Sequence, residues 1–264
     1  MSAQAGSIDL TVADGVGRII INNPSRHNAI SYAMWESLAR HLETAAADPS
    51  VRVLVLQGAG GKAFAAGADI SKFESERASK AASDAYNAMS ARASELLYGF
   101  PRPTIAHING YCIGGGLAVA LCCDLRFAET VSRFAIPAAR LGLGYGLDGV
   151  RRLVDVVGGA AAMEIFFTAR QFDAAEALRM GLVNGIAAPE PLDQVVADCV
   201  ARICANAPMT VAAAKAAVRE LAKDPAHRNR AAVDALVAAC FASADFVEGR
   251  TAFMEKRPPR FQGR

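Results

Sequence analysis

The sequence is short of most features that would announce a function. No apolar run approaches the length needed to span a bilayer, and the longest, Leu117 to Cys123, falls far below it. The first residues show no basic region followed by an apolar one. A secretory leader is therefore not expected, and a cytoplasmic location is. Acidic and basic residues nearly cancel, 26 against 28, and the net charge is +2. So weak a field gives no reason to expect a nucleic-acid partner, and the lack of a span gives none to expect a membrane. The six cysteines follow neither disulfide nor zinc spacing, and Cys122 and Cys123 are adjacent. Reduced thiols packed in the core are the expectation, with no metal constellation. Internal repeats and low-complexity segments are also missing. What is plentiful is apolar residues, 53% of 264, enough to bury a sizeable core.

Periodicity divides the chain in two. Ile8 to Val12 and Val16 to Ile21 flank Asp14-Gly15, a hairpin signal. Asn22 to Ile30 is a polar loop. Ser31 is placed to cap a helix whose Trp35, Leu38 and Leu42 share one face, and Asp48-Pro49 ends it. Val51 to Leu56 reads as a buried strand broken by Gly58 to Gly61. Ser71 to about Tyr98 reads as helical. Leu125 to Ala128 is a further strand, Asp173 to Glu176 is a capping box, and Val183 to Ala187 is a last short strand. Beyond Pro191 no strand pattern remains, and three or four helices follow. The expected class is α/β, with a strand–helix body over 1–190 and a helical region over 191–264.

Three glycine-bearing stretches stand out. In Ile105 to Asp124 a buried strand meets Asn109-Gly110, then Gly114, Gly115 and Gly116 run into an apolar helix. A helix start of this kind leaves unpaired N–H groups pointing one way, suited to phosphate, carboxylate or the oxygen of a polarised carbonyl. The same glycines also permit close strand–helix packing, and either use fits the stretch alone. Phe64 to Ile70 is a small-residue loop that a ligand can approach closely, or simply a tight loop. Leu141 to Gly149 is glycine-rich and reads as a pocket wall.

Four stretches together carry a family resemblance: Asn23-Pro24 with Asn28-Ala29, Phe64 to Ile70, Asn109 to Gly116, and the tail Glu248 to Arg257. In this order and spacing the chain resembles the enoyl-CoA hydratase/isomerase (crotonase) family over nearly its whole length. The resemblance implies a spiral of repeated β-β-α units, with C-terminal helices that build a homotrimer or a hexamer of two trimers. It implies an acyl-CoA thioester as substrate and no cofactor beyond the coenzyme A of that thioester. Two backbone N–H groups would grip the thioester oxygen, at Ala68, after Gly67, and at Gly115. Coenzyme A contacts would fall near Arg26, Ala66 and Ile70, with Phe253 and Lys256 reaching a neighbouring subunit's ligand. Asp69 and Asp124 would hold loops by hydrogen bonds and ion pairs.

The resemblance fails at the acid/base groups. Family hydratases carry two glutamates that hold and activate water, and these positions match Ala118 and Ala138 here. A methyl group neither takes a proton nor orients water. Tyr145 and Asp148 are the replacement candidates. Leu141 to Leu147 is similar to the segment of the family's methylmalonyl-CoA decarboxylases that carries a tyrosine, although those enzymes have histidine where Ala68 stands. Tyr145 otherwise fills a pocket wall, and Asp148 otherwise shapes a turn beside Gly149. Leu141, Leu143, Ala118 and Ala138 imply an apolar acyl pocket. Arg140 pairs either with an acyl carboxylate or with a surface anion. His27 either touches ligand or stays in solvent, while His107 and Cys112 read as packing residues. Three readings follow: a thioester-enolate enzyme with an unusual acid/base group, a decarboxylase- or isomerase-like enzyme using Tyr145 or Asp148, and a CoA-thioester-binding protein without turnover.

Overall fold

The computed structural model describes residues 6–69, 79–188 and 190–264. Strands β1 (Ser7–Ala13) and β2 (Val16–Asn22) pair antiparallel. Asp14 and Gly15 join them at φ of 51° and 79°, the left-handed pair that a two-residue hairpin turn requires. Ser31 caps α1 (Tyr32–Ala47) by accepting the Met34 N–H at 3.4 Å. Trp35, Leu38 and Leu42 are buried on its inner face, as their spacing predicts.

From there the chain winds in repeated units of strand, strand and helix. The first turn is β3 (Val53–Gly58), β4 (Ala63–Ala65) and α2 (Lys80–Tyr98). The second is β5 (Thr104–Ile108), β6 (Tyr111–Ile113) and α3 (Gly115–Cys122). The third is β7 (Leu125–Glu129) and β8 (Arg133–Ala135), followed by the one-turn α4 (Ala138–Leu141) and the long α5 (Leu147–Thr168). The first strand of each turn joins a six-stranded sheet of order β1-β2-β3-β5-β7-β10, parallel except at β1-β2. The second joins a four-stranded sheet, β4-β6-β8-β9. Here β9 (Phe172–Asp173) and β10 (Gly185–Ala187) close the two sheets, with α6 (Ala174–Arg179) between them. The capping box at its start is complete: Asp173 accepts the Glu176 N–H at 2.9 Å and Glu176 reaches back to the Asp173 N–H.

This is the β-β-α spiral that the resemblance implies. Three features go beyond the sequence reading. The loop around Phe64 begins with a strand, the turn after Ile108 contains another, and the stretch from Leu147 is a helix rather than only a pocket wall. Successive turns stack so closely that Gly116 has no room for a side chain. A Cβ there would lie 2.0 Å from the Ala65 carbonyl oxygen.

Four helices follow: α7 (Leu192–Ala205), α8 (Pro208–Leu221), α9 (Arg230–Ala242) and α10 (Ala244–Glu255). Leu192, Val196 and Val200 of α7 pack on Val53, Val55 and Ile105, covering the outer face of the large sheet. Asp124 ties α8 to the spiral. Its carboxylate accepts from the Thr104 N–H and hydroxyl and pairs with Lys215 and Arg219, each at 2.7 Å. The loop-holding role expected of Asp124 is therefore met. The tail folds back on α10: Glu248 holds Arg257 with both carboxylate oxygens, and buried Asp245 accepts the Gln262 and Gly263 N–H groups. No single described helix is long and apolar enough to cross a membrane.

Candidate active site

The site begins at Asn28, a buried residue with φ of 57°. Its side chain accepts the Asn23 N–H at 2.9 Å and donates to the Ala59 and Ala63 carbonyls at 2.9 and 2.6 Å. Those bonds explain the Asn23–Asn28 motif: one amide welds the first loop to the edge of β4. The next residues deliver Ile30, fully buried and extended, to the loop after β4.

Ile30 and Ala68 form an isolated parallel bridge. The Ile30 N–H donates to Gly67 O at 2.8 Å and the Asp69 N–H donates to Ile30 O at 3.2 Å. In a parallel pair, the residue between two such bonds turns its own N–H the other way. The Ala68 N–H therefore points away from Ile30. Gly67, at φ of 93°, makes the turn possible.

On the other side stands the start of α3. Gly114 is its N-cap at φ of 55°, donating its own N–H to Ala135 O at 2.8 Å. Gly115 is the first helical residue, and its N–H has no intrahelical acceptor. The two loops touch. The Cβ position of Gly115 lies 3.4 Å from Gly67 Cα and 3.8 Å from the Ala68 nitrogen, and that of Gly67 lies 3.4 Å from the Gly115 nitrogen. Neither Ala68 nor Gly115 donates its N–H to a protein acceptor among the described residues. Two donor amides from two glycine-bearing loops are neighbours.

The side chains around them are small. Ala118, one turn after Gly115 on the same face, stays half-buried while Gly116, Leu117, Val119 and Ala120 are buried. The Ala135–Ala138 segment lies alongside, since Pro137 Cδ is 3.9 Å from the Cβ position of Gly114, and Ala138 is buried. The two positions that the resemblance assigns to glutamates are thus methyl groups, one a turn after Gly115 and one next to the Pro137 that approaches Gly114.

The other candidates scatter. Tyr145 is half-buried, its ring edge-on to Phe166 at 5.1 Å, and burial raises its phenol above the ordinary range. Asp148 is exposed in the first turn of α5, where a carboxylate favours the helix dipole. Leu141 and Leu143 are exposed, as is Arg140. Ala66 is half-buried, Gly67 and Asp69 are buried, and Ile70 lies outside the described residues. Phe253 is 82% exposed and Lys256 caps α10 in a left-handed conformation.

His107 is a core histidine whose Nε2 lies 2.9 Å from Asp193, while its Nδ1 has no partner among the described residues. Cys112 is buried, and burial pushes its thiol far above the ordinary range. Burial likewise raises Cys122, to about 11, so neither offers a thiolate.

Arg26 and His27 are exposed, and the His27 ring meets Tyr111 at 5.9 Å. The Tyr111 N–H donates to the carbonyl of Lys62, a residue the sequence reading passed over. Arg26 and Lys62 carry no ion pair among the described residues. Cavities of about 520 and 660 Å³ lie under the C-terminal helices, yet neither is lined by Ala68 or Gly115. The amide pair, rather than cavity size, marks the site.

Comparison with known proteins bears on the chain as a whole. The family model for enoyl-CoA hydratase/isomerase matches residues 11–264. A crotonyl-CoA hydratase of Syntrophomonas wolfei is 34% identical over 92% of this chain and 93% of its own. An (E)-benzylidenesuccinyl-CoA hydratase of Thauera aromatica is 32% identical over 97% and 99%. The crystal structure of an enoyl-CoA hydratase/carnithine racemase from Magnetospirillum magneticum superposes with a TM-score of 0.92 at 36% identity, covering 97% of this chain and 96% of that one. The chain belongs to the enoyl-CoA hydratase/isomerase family.

Proposed function

We propose that the protein binds an acyl-CoA thioester with its carbonyl oxygen between the Ala68 and Gly115 N–H groups and acts through the thioester enolate. The observation that carries this reading is the contact of the two loops, 3.8 Å from the Gly115 Cβ position to the Ala68 nitrogen. Backbone donors fixed before the substrate arrives stabilise developing negative charge without reorganising, and losing one typically costs about 3–4 kcal/mol. The exposed cations Arg26 and Lys62, near the loop that begins at Ala66, suit the phosphates of coenzyme A. Phe241, Phe253 and Met254 are exposed on the last two helices, apolar side chains that a trimer or hexamer would cover.

Water addition by two carboxylates is not the chemistry of this site, because Ala118 and Ala138 carry no acid or base. A second reading rests on Tyr145. A phenol is protonated at neutral pH and would be the group that delivers a proton to the α carbon of an enolate, as a decarboxylase or isomerase requires, although the burial that raises Tyr145 makes it a weaker acid. Asp148, exposed at a helix start, serves the helix.

The test is a panel of acyl-CoA thioesters, including a malonyl type, followed by mass spectrometry. The proposal expects one or more to be converted, with crotonyl-CoA hydration far below about 10³ s⁻¹. Ala118→Glu combined with Ala138→Glu should raise hydration at least about tenfold, a fraction of what a placed acid/base pair contributes. Wild-type hydration at or above that rate contradicts the reading. Tight binding with no conversion of any member leaves a thioester-binding protein.

A further inference from the structure

We infer that Tyr86, backed by Trp35, is a positioning residue for the Ala68 donor; this rests on the thioester reading above. Both side chains are buried, 3% and 4% exposed, and each carries a polar N–H or O–H group into the core. Buried indole N–H and phenol O–H groups need partners, and here they form a directed chain. Trp35 Nε1–H, in the first turn of α1, donates to the Tyr86 hydroxyl at 2.9 Å. The Tyr86 hydroxyl, in the second turn of α2, donates to the Ile30 carbonyl at 2.9 Å.

That carbonyl is the one that also accepts the Asp69 N–H, at 3.2 Å. Both lone pairs of Ile30 O are thus engaged, one by the tyrosine and one by the loop that carries Ala68. Two helices and the donor loop meet on a single peptide group. With the hydroxyl in place the plane of that peptide is fixed, and the Gly67–Asp69 strand segment hydrogen-bonded to Ile30 is fixed with it. The Ala68 N–H, directed away from Ile30, then takes a defined direction toward Gly115. Without the hydroxyl, one bond fewer holds the peptide, and the Trp35 N–H is left to seek another acceptor. Tyr86 touches no reacting atom in this scheme; it acts through the angle of the donor.

The test reads the donor directly. Butyryl-CoA with a ¹³C-labelled thioester carbonyl is bound to the full chain, and its carbonyl stretch is recorded by difference infrared spectroscopy. In the wild type the band should move to lower frequency on binding. In Tyr86→Phe at least half of that displacement should vanish, while the dissociation constant changes less than about threefold. A core-filling tyrosine would leave the displacement intact whatever it did to stability, so an unchanged band in Tyr86→Phe overturns the proposal. If the wild type shows no displacement, the thioester reading itself falls, and Tyr86 has no donor to position. Should Tyr86→Phe fail to fold, Trp35→Phe carries the test, with a smaller but measurable loss of displacement expected and none contradicting it.

Discussion

The two sides of the candidate site are built from different material. One side, Gly67-Ala68 with Gly114 to Gly116, offers main-chain N–H groups whose direction follows from a parallel bridge, a helix start and two left-handed glycines. The other, Ala118 with Ala138 to Gly149, is where side chains would do proton chemistry, and there methyl groups, exposed leucines, one tyrosine and one solvent-facing aspartate stand. The first is a property of the fold, because any residue except proline that keeps the backbone path keeps the donors. The second is a property of single residues and is rewritten by single substitutions. The comparison explains how a chain can match the family model over residues 11–264 while alanines, Ala118 and Ala138, stand where the resemblance places two glutamates.

The largest expected effect lies on the first side. Gly116→Val would press a side chain into the Ala65 carbonyl, 2.0 Å from the Cβ position, and no flexible group is there to yield. It should cost about 4 kcal/mol or more, read as loss of soluble protein or a collapse of Tm. Gly115→Pro sharpens the point. Proline is tolerated at a first helical position but has no N–H, and its ring Cδ takes the hydrogen's place. The fold should persist by circular dichroism, while kcat for the acyl-CoA identified in the panel drops about 10²–10³-fold. An unaffected kcat would break the comparison.

On the second side the effects shrink. Tyr145→Phe should change kcat less than about threefold if the phenol only packs on Phe166, and about 10²-fold if it donates the proton. The value decides between the two readings of the site. The smallest effect lies outside the site, in the tail. Arg257, held by both oxygens of Glu248, lowers that carboxylate to about 2. A depressed carboxylate contributes stability that is complete above the unfolded value of about 4.3 and is lost as pH falls toward 2. Glu248→Gln should flatten the acid limb of thermal stability between those values and leave stability differences constant above pH 5.

How much of this was legible in the sequence follows the same divide. Signals that act over two to five residues were readable: the Asp14-Gly15 turn, the Ser31 cap, the Asp173–Glu176 box and the glycine start of α3. Strands of three residues, β4, β6 and β8, are too short to show a period, and they are what stacks one turn on the next. Helix α5 was hidden because Gly158, at φ of 78°, interrupts it and blurs its pattern. At the site, the loops that carry the donors were visible as small-residue stretches, whereas their approach was not, since Gly67 and Gly115 are far apart in the chain. The Trp35–Tyr86 bond spans 51 residues and has no local signature at all. Lys62 was passed over because a lone lysine in a turn looks like any solvated charge.

The most direct measurement is a crystal structure of the protein with butyryl-CoA, a saturated thioester that cannot be hydrated. The account predicts its carbonyl oxygen within about 3 Å of both the Ala68 and the Gly115 nitrogen. A thioester oxygen facing solvent, or held by one of the two alone, would contradict it.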